Sequence, residues 1–130
     1  MKDAIEIGAE GTAELIVSPE DTAIALGSGD VPVLGTPRLL ALVEEATCEA
    51  VRGAVTADRT TVGSTVELSH RRPTPVGARV MAHARVVSRE GTQVVFEVHA
   101  DHVTAAGERA EMIARGRITR VIVDRGAFLS

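Results

Sequence analysis

The sequence predicts an α+β fold in which a curved antiparallel five-stranded sheet wraps around one central helix. Residues 36 to 51 carry apolar side chains at the 3.6-residue period of a helix. From residue 61 onward the period falls to 2, through four segments separated by short turns. The order of elements is then strand, loop, helix and four strands, and one helix is too little to cover both faces of such a sheet. The sheet must therefore curl, with one face on the helix and the other in water.

An early strand leads into a polar loop, "SPEDTAIALGSGDVPVLG". Its "GSG" lacks the preceding strand and directly following helix that phosphate loops need, so a flexible connection is expected. The helix starts in "LGTPRLLALVEEATCEAV", where Thr36 and Pro37 read as N-cap and first-turn residues. Leu39, Leu40, Val43, Ala46, Ala50 and Val51 gather on one face, Arg38, Glu45, Glu49 and Arg52 on the opposite one, and Gly53 marks the end. Glu45 belongs to solvent. Glu44 falls on the border of the apolar face beside Leu40, Cys48 and Val51.

"TVGSTVELSH" alternates Val62, Ser64, Val66, Leu68 and His70 inward against Gly63, Thr65, Glu67 and Ser69 outward. "ARVMAHARV" and "QVVFEVHAD" place Val80, Ala82, Ala84, Val86, Val94, Phe96, Val98 and Ala100 inward, with Arg79, His83, Arg85, Glu97, His99 and Asp101 outward. The last strand, about residues 108 to 123, puts Met112, Ala114, Gly116, Ile118 and Ile122 on one parity with Arg120, an odd companion for them. "RPTPVG" and "SREGT" supply turns.

Composition narrows the function. A chain of 130 residues, 45% hydrophobic, buries a core as one domain, residues 1–130, without disulfides or metals. Fourteen Lys and Arg against 18 Asp and Glu, with no basic run longer than Arg71-Arg72, argue against nucleic acid as a partner. Cys48 is alone, which excludes a disulfide framework and suits a reduced cytoplasmic setting. No apolar run is long enough to span a membrane, and no signal-type segment opens the chain. Phe96 and Phe128 are the only aromatic residues besides histidines, so stacking platforms for bases or flavins are not expected.

Three polar residues interrupt the pattern: Thr36, Glu44 and His70. Singly, they read as a cap, a border residue and a strand end. Jointly, a carboxylate among apolar neighbours and an imidazole form a pair suited to moving a proton or activating a water. The helix amino terminus adds a positive field suited to an oxyanion. That combination fits acyl transfer to water. No metal site is expected, since His83 and His99 lie on outward parity and His99 and His102 are not a same-side pair. No GxSxG elbow occurs.

The chain resembles the hotdog-fold acyl-CoA thioesterases of the fluoroacetyl-CoA thioesterase-like group over roughly residues 5 to 123. "LGTPRLLALVEEA", "TTVGSTVELSHRRPTPVGARV" and "VFEVHADHVTAAGERAEMIARGRITRVIV" carry the resemblance. A threonine opens the helix, a glutamate follows eight positions later, and a histidine comes 26 positions after that, before a "TPxG" turn. The resemblance implies a homodimeric hydrolase, with Glu44 as base or nucleophile towards the thioester carbonyl, assisted by Thr36 and His70. It implies that the backbone of Gly63 and the side chain of Arg120 position the substrate. Arg71, Arg72, Arg79 and Arg120 are the candidates for the coenzyme A phosphates. No cofactor is implied, because coenzyme A is part of the substrate. The fluoroacetate-selective type has an aromatic lid residue where Asp30 stands here. Pro37 also removes one N–H from the helix terminus. The rival expectations are a non-catalytic acyl-CoA-binding dimer and an enoyl-thioester hydratase.

Overall fold

The computed structural model describes residues 3–129. In chain order these form β1 (Glu10–Ile16), a 3-10 turn (Pro19–Asp21), a short helix α1 (Ala23–Leu26) and the long helix α2 (Thr36–Ala50). There follow β2 (Arg59–His70), β3 (Arg79–Glu90), β4 (Gln93–Val103), β5 (Arg109–Asp124) and a closing turn of helix α3 (Arg125–Leu129). The strands make one antiparallel sheet in the order β1-β3-β4-β5-β2. β3, β4 and β5 are successive hairpin partners, while β1 and β2, on either side of α2 in the chain, take the two edges. The helix crosses the concave face between those edges and packs chiefly on β1 and β3.

The approach of α2 to β1 is close enough to require a glycine. A Cβ at Gly11 would stand 2.2 Å from the Ala50 nitrogen and 2.4 Å from the Ala46 oxygen. Between helix and sheet lie Leu39, Leu42, Val43 and Ala46 with Val80, Ala82, Ala84, Val86, Val94, Phe96, Val98 and Ala100, all buried in one cluster. The inward positions expected on β3 and β4 are thus in the core. On α2 the buried arc also takes Leu42 and Thr47, beyond the expected stripe. A sheet that curls around a helix covers its flanks as well as its underside.

Three expectations need correction. The 18–35 segment is not a loose connection. Ser18 donates from its backbone and its hydroxyl to the Asp21 carboxylate, Asp21 pairs with Arg38 at 3.1 Å, and Gly35 N–H donates to the Asp21 carbonyl. In β5, Ile113 takes the core place assigned to Met112, because a bulge in the β4–β5 pairing falls there. In β2, a bulge between Gly63 and Thr65 inverts the alternation read for its first half. Among the described residues no helix is long and apolar enough to cross a membrane.

Candidate active site

The sequence places Thr36 as a cap, but the structure gives that position to Gly35, whose extended backbone (φ −75, ψ 141) opens the helix with no side-chain cap bond. The threonine hydroxyl is thereby free for another partner, and it lies 2.8 Å from His70 Nδ1. The segments meet because Leu34 N–H donates to the Thr74 carbonyl and Val33 bridges Pro75, which docks the helix start on the "TPVG" turn after β2. His70 is half-buried, and its Nε2 has no hydrogen-bond partner among the described residues. Burial pushes the imidazole below its ordinary value of 6.5, an effect the Arg72 backbone partly offsets. A neutral ring keeps one lone pair, and the Thr36 hydroxyl, which can donate or accept, is able to pair with Nδ1 in either tautomer. Thr36, His70, Arg71, Arg72, Asp30 and Val31 line an open cleft of about 380 Å³.

Glu44 belongs to a second cluster. Its Oε2 accepts from Arg120 Nη1 at 3.2 Å, while Arg120 Nε donates to Thr61 Oγ1 at 2.9 Å and Nη2 to the Thr61 carbonyl at 3.0 Å. The arginine side chain is 8% exposed and the glutamate 32%, so a buried fork holds a carboxylate that remains open to solvent. Gly63 pairs with Arg120 across the sheet. A Cβ there would stand 2.4 Å from Glu44 Oε2, so the carboxylate occupies the space a side chain would fill. The outward parity read for Gly63 is therefore wrong. The bulge turns Thr61 and Gly63 towards the helix, and Val66, Leu68 and His70 keep the inward face beyond it.

Eight residues of helix separate Thr36 from Glu44, about 12 Å between Cα atoms. The structure thus brings together Thr36 with His70, and Glu44 with Arg120 and Gly63, as two half-sites at different levels of one helix. Of the other arginines, Arg71 donates to Ser69 Oγ at 3.2 Å and Arg72 lies 3.7 Å from Glu111, both beside His70. Arg79 is paired with Glu14 at 2.8 Å and does not join either half-site. The helix terminus offers less to an oxyanion than its position suggests. Pro37 has no N–H, and Arg38 and Leu39 both donate to the Gly35 carbonyl. Thr61 is the site residue that sequence reasoning missed, because its inward orientation depends on the bulge.

The family model for fluoroacetyl-CoA-specific thioesterase, FlK, matches residues 17–126. The chain belongs to this family. A hypothetical protein of Thermus thermophilus, a thioesterase superfamily member, is 27% identical with a TM-score of 0.84, over 96% of this chain and 88% of that one. The fluoroacetyl-CoA thioesterase FlK itself matches with a TM-score of 0.85 at 22% identity, covering 98% of this chain and 94% of its own. A hot-dog-like protein from Thermanaerovibrio acidaminovorans gives 0.81 at 22%, over 96% and 88%. The curled sheet around one helix is accordingly the hotdog fold, and the FlK-family chain is indicated as a thioesterase. No curated protein matches it.

Proposed function

We propose that this FlK-family chain hydrolyses a small acyl-CoA thioester to a carboxylate and free coenzyme A. The observation that carries the proposal is the Glu44 carboxylate, held by the buried Arg120 fork in space that Gly63 leaves empty. Only Oε2 is engaged, and Oε1 has no hydrogen bond among the described residues. Glu44 as base takes a proton from water while the water oxygen bonds to the thioester carbon; the C–S bond then breaks and the thiolate leaves, to be protonated. Glu44 as nucleophile forms an acyl-glutamyl anhydride first, expelling the thiolate, and water then cleaves the anhydride. After single turnover in ¹⁸O-water, label in the Glu44 carboxylate identifies the second route with water opening the anhydride at the glutamyl carbonyl, since the first route never labels Glu44. Thr36 and His70 act at the carbonyl or the leaving sulfur, and Arg71 and Arg72 flank the cleft that receives the anionic end of coenzyme A. No resident cofactor or metal enters this chemistry. Asp30 lines the cleft in place of an aromatic lid, so the acyl group proposed is small without selectivity for fluoroacetyl.

The Cα atoms of Thr36 and Glu44 are about 12 Å apart along one helix, and no hydrogen bond or ion pair among the described residues joins Glu44 to Thr36 or His70. We therefore propose a homodimer in which each site combines Glu44 of one copy with Thr36 and His70 of the other. β2 is an edge strand, and its middle from Gly63 to Glu67 is exposed. Antiparallel pairing about a two-fold axis through Glu67 sets Val66 opposite Leu68 and Thr65 opposite Ser69, and the bulge at Ser64 then brings Gly63 of one copy level with His70 of the second.

A free-thiol assay over short, branched and aromatic acyl-CoAs tests the activity, with Glu44→Gln expected to abolish turnover. Unchanged rates in that variant would refute the assigned role. Mixing Glu44→Gln with His70→Ala in equal amounts tests the arrangement. With sites shared across the two-fold, half of the dimers are mixed and each has one intact site, so about a quarter of wild-type activity returns. If both residues serve within one chain, none returns. Ligand-dependent stabilisation without thiol release would indicate a binding protein instead.

A further inference from the structure

The outer face of the sheet carries a cluster that the thioester chemistry does not use. Parity alone puts His83 and His99 there, and the β3–β4 register makes them direct cross-strand partners. Their rings stack with centroids 4.6 Å apart and planes 15° from parallel. Asp101 follows on the same face, two residues along β4. It is only 1% exposed, an unusual state for a carboxylate on the outside of a sheet. Its Oδ2 lies 3.2 Å from His99 Nδ1 and 3.8 Å from His83 Nε2, and its Oδ1 lies 3.2 Å from Arg109 Nε. Close as they are, His99 Nδ1 and Asp101 Oδ1 are buried and have no hydrogen bond of sound geometry. Both atoms have an ion-pair neighbour at 3.2 Å, yet neither completes a hydrogen bond, which leaves two buried polar atoms in one spot with unused bonding capacity.

We propose that His83, His99 and Asp101 form a binding site for a divalent transition-metal ion of the zinc type, separate from the thioesterase site. Two imidazoles and one carboxylate are a three-ligand set that zinc takes with a fourth position open. Donor atoms about 2.0–2.2 Å from a tetrahedral zinc stand roughly 3.3 Å from one another. The three donors here lie within 4.8 Å of one another, two of the separations being 3.2 and 3.8 Å. Binding requires the two rings to turn out of their stack, so that in-plane nitrogen lone pairs that now run side by side converge on the ion. The ion would occupy Oδ2 and leave Oδ1 to Arg109, whose side chain is 58% exposed and free to swing away. An entry path exists, since His83 and His99 border an outer cleft of about 270 Å³ with Glu10, Arg85 and Glu97. Arg85 and Arg109 oppose a cation there, while Glu10, Glu97 and Asp101 attract it. Such an ion would clamp β3 to β4 on the face away from Glu44, so its effect is on stability and not on turnover.

The test uses full-length protein stripped with a chelator and titrated with zinc chloride by calorimetry and thermal melting. The expected result is one ion per chain at micromolar or tighter affinity, with a raised Tm. Binding should be lost in His83→Gln and His99→Gln, kept in His102→Gln, and without effect on thioester hydrolysis. His83 is 41% exposed, so His83→Gln folds and decides the matter even if substitution of His99 does not. The absence of saturable zinc binding, or unchanged binding in His83→Gln, would overturn the proposal.

Discussion

Gly63→Ala separates the geometry of the Glu44 half-site from the stability of the fold. The new methyl carbon would stand 2.4 Å from Glu44 Oε2, 3.5 Å from its Cδ and 3.6 Å from Arg120 Nη1. Ordinary contact begins near 3.4 Å, so the carboxylate must retreat by about 1 Å. Glu44 is 32% exposed at the end of a flexible side chain and can make that move cheaply. The backbone is not a factor, because Gly63 has no positive φ, and alanine in a strand interior favours the fold by roughly 0.5–1 kcal/mol over glycine. Stability should therefore change by less than about 1 kcal/mol. Activity should not be spared, since a displacement of about 1 Å in a reacting group lowers rate about 100-fold, near 2.7 kcal/mol of barrier. Paired measurements of kcat/KM by thiol release and of Tm read both effects. A variant within twofold of wild-type activity would refute the placement of Glu44 at the reaction centre. Equal losses of Tm and activity would show instead that the glycine serves only packing.

Arg120→Lys keeps the charge but cannot satisfy Thr61 Oγ1, the Thr61 carbonyl and Glu44 together. It should lower stability by about 1–3 kcal/mol in urea unfolding and reduce kcat more than it changes KM; wild-type values for both would remove the fork from the argument. His70 is held below 6.5 by burial, so between that depressed value and 6.5 the unfolded chain binds more protons at this residue than the folded one. Its contribution to stability is complete above pH 6.5 and lost as pH falls through the folded value. The Tm difference between wild type and His70→Gln should therefore change on acidification through and below pH 6.5, and a difference flat across that range would contradict the burial of the ring.

The fold was legible because period and order are one-dimensional properties. Alternation on β3 and β4 named core residues from Val80 to Ala100, and the change of period marked the end of α2. What failed were features set by pairing between segments. A single bulge in β2 inverted the parity of Gly63 and concealed Thr61, although both were in plain view in "TTVGSTVELSH". Thr36 next to Pro37 carried the local signature of a cap, yet docking of Leu34 on Thr74 made Gly35 the cap and released the hydroxyl. Arg120 was visible as an oddity on an apolar parity. Its partners were not, because nothing local ties residue 120 to residues 44 and 61.

The same limit explains why Glu44 drew notice for one reason and is interesting for another. On the helix it stands at the edge of an apolar stripe, which suggests a carboxylate in apolar surroundings. In the fold, its neighbour is a guanidinium with its own two bonds to Thr61, so orientation is the property the surroundings supply. One oxygen is held by Arg120, and the other makes no hydrogen bond among the described residues. An oriented carboxylate with one free oxygen needs a carbonyl brought to it and donors for the developing oxyanion, and α2 cannot furnish those at its own amino terminus about 12 Å away. The proposed second copy, paired along β2, would furnish them without any change in the chain, and the middle of that strand, from Gly63 to Glu67, is exposed to receive it.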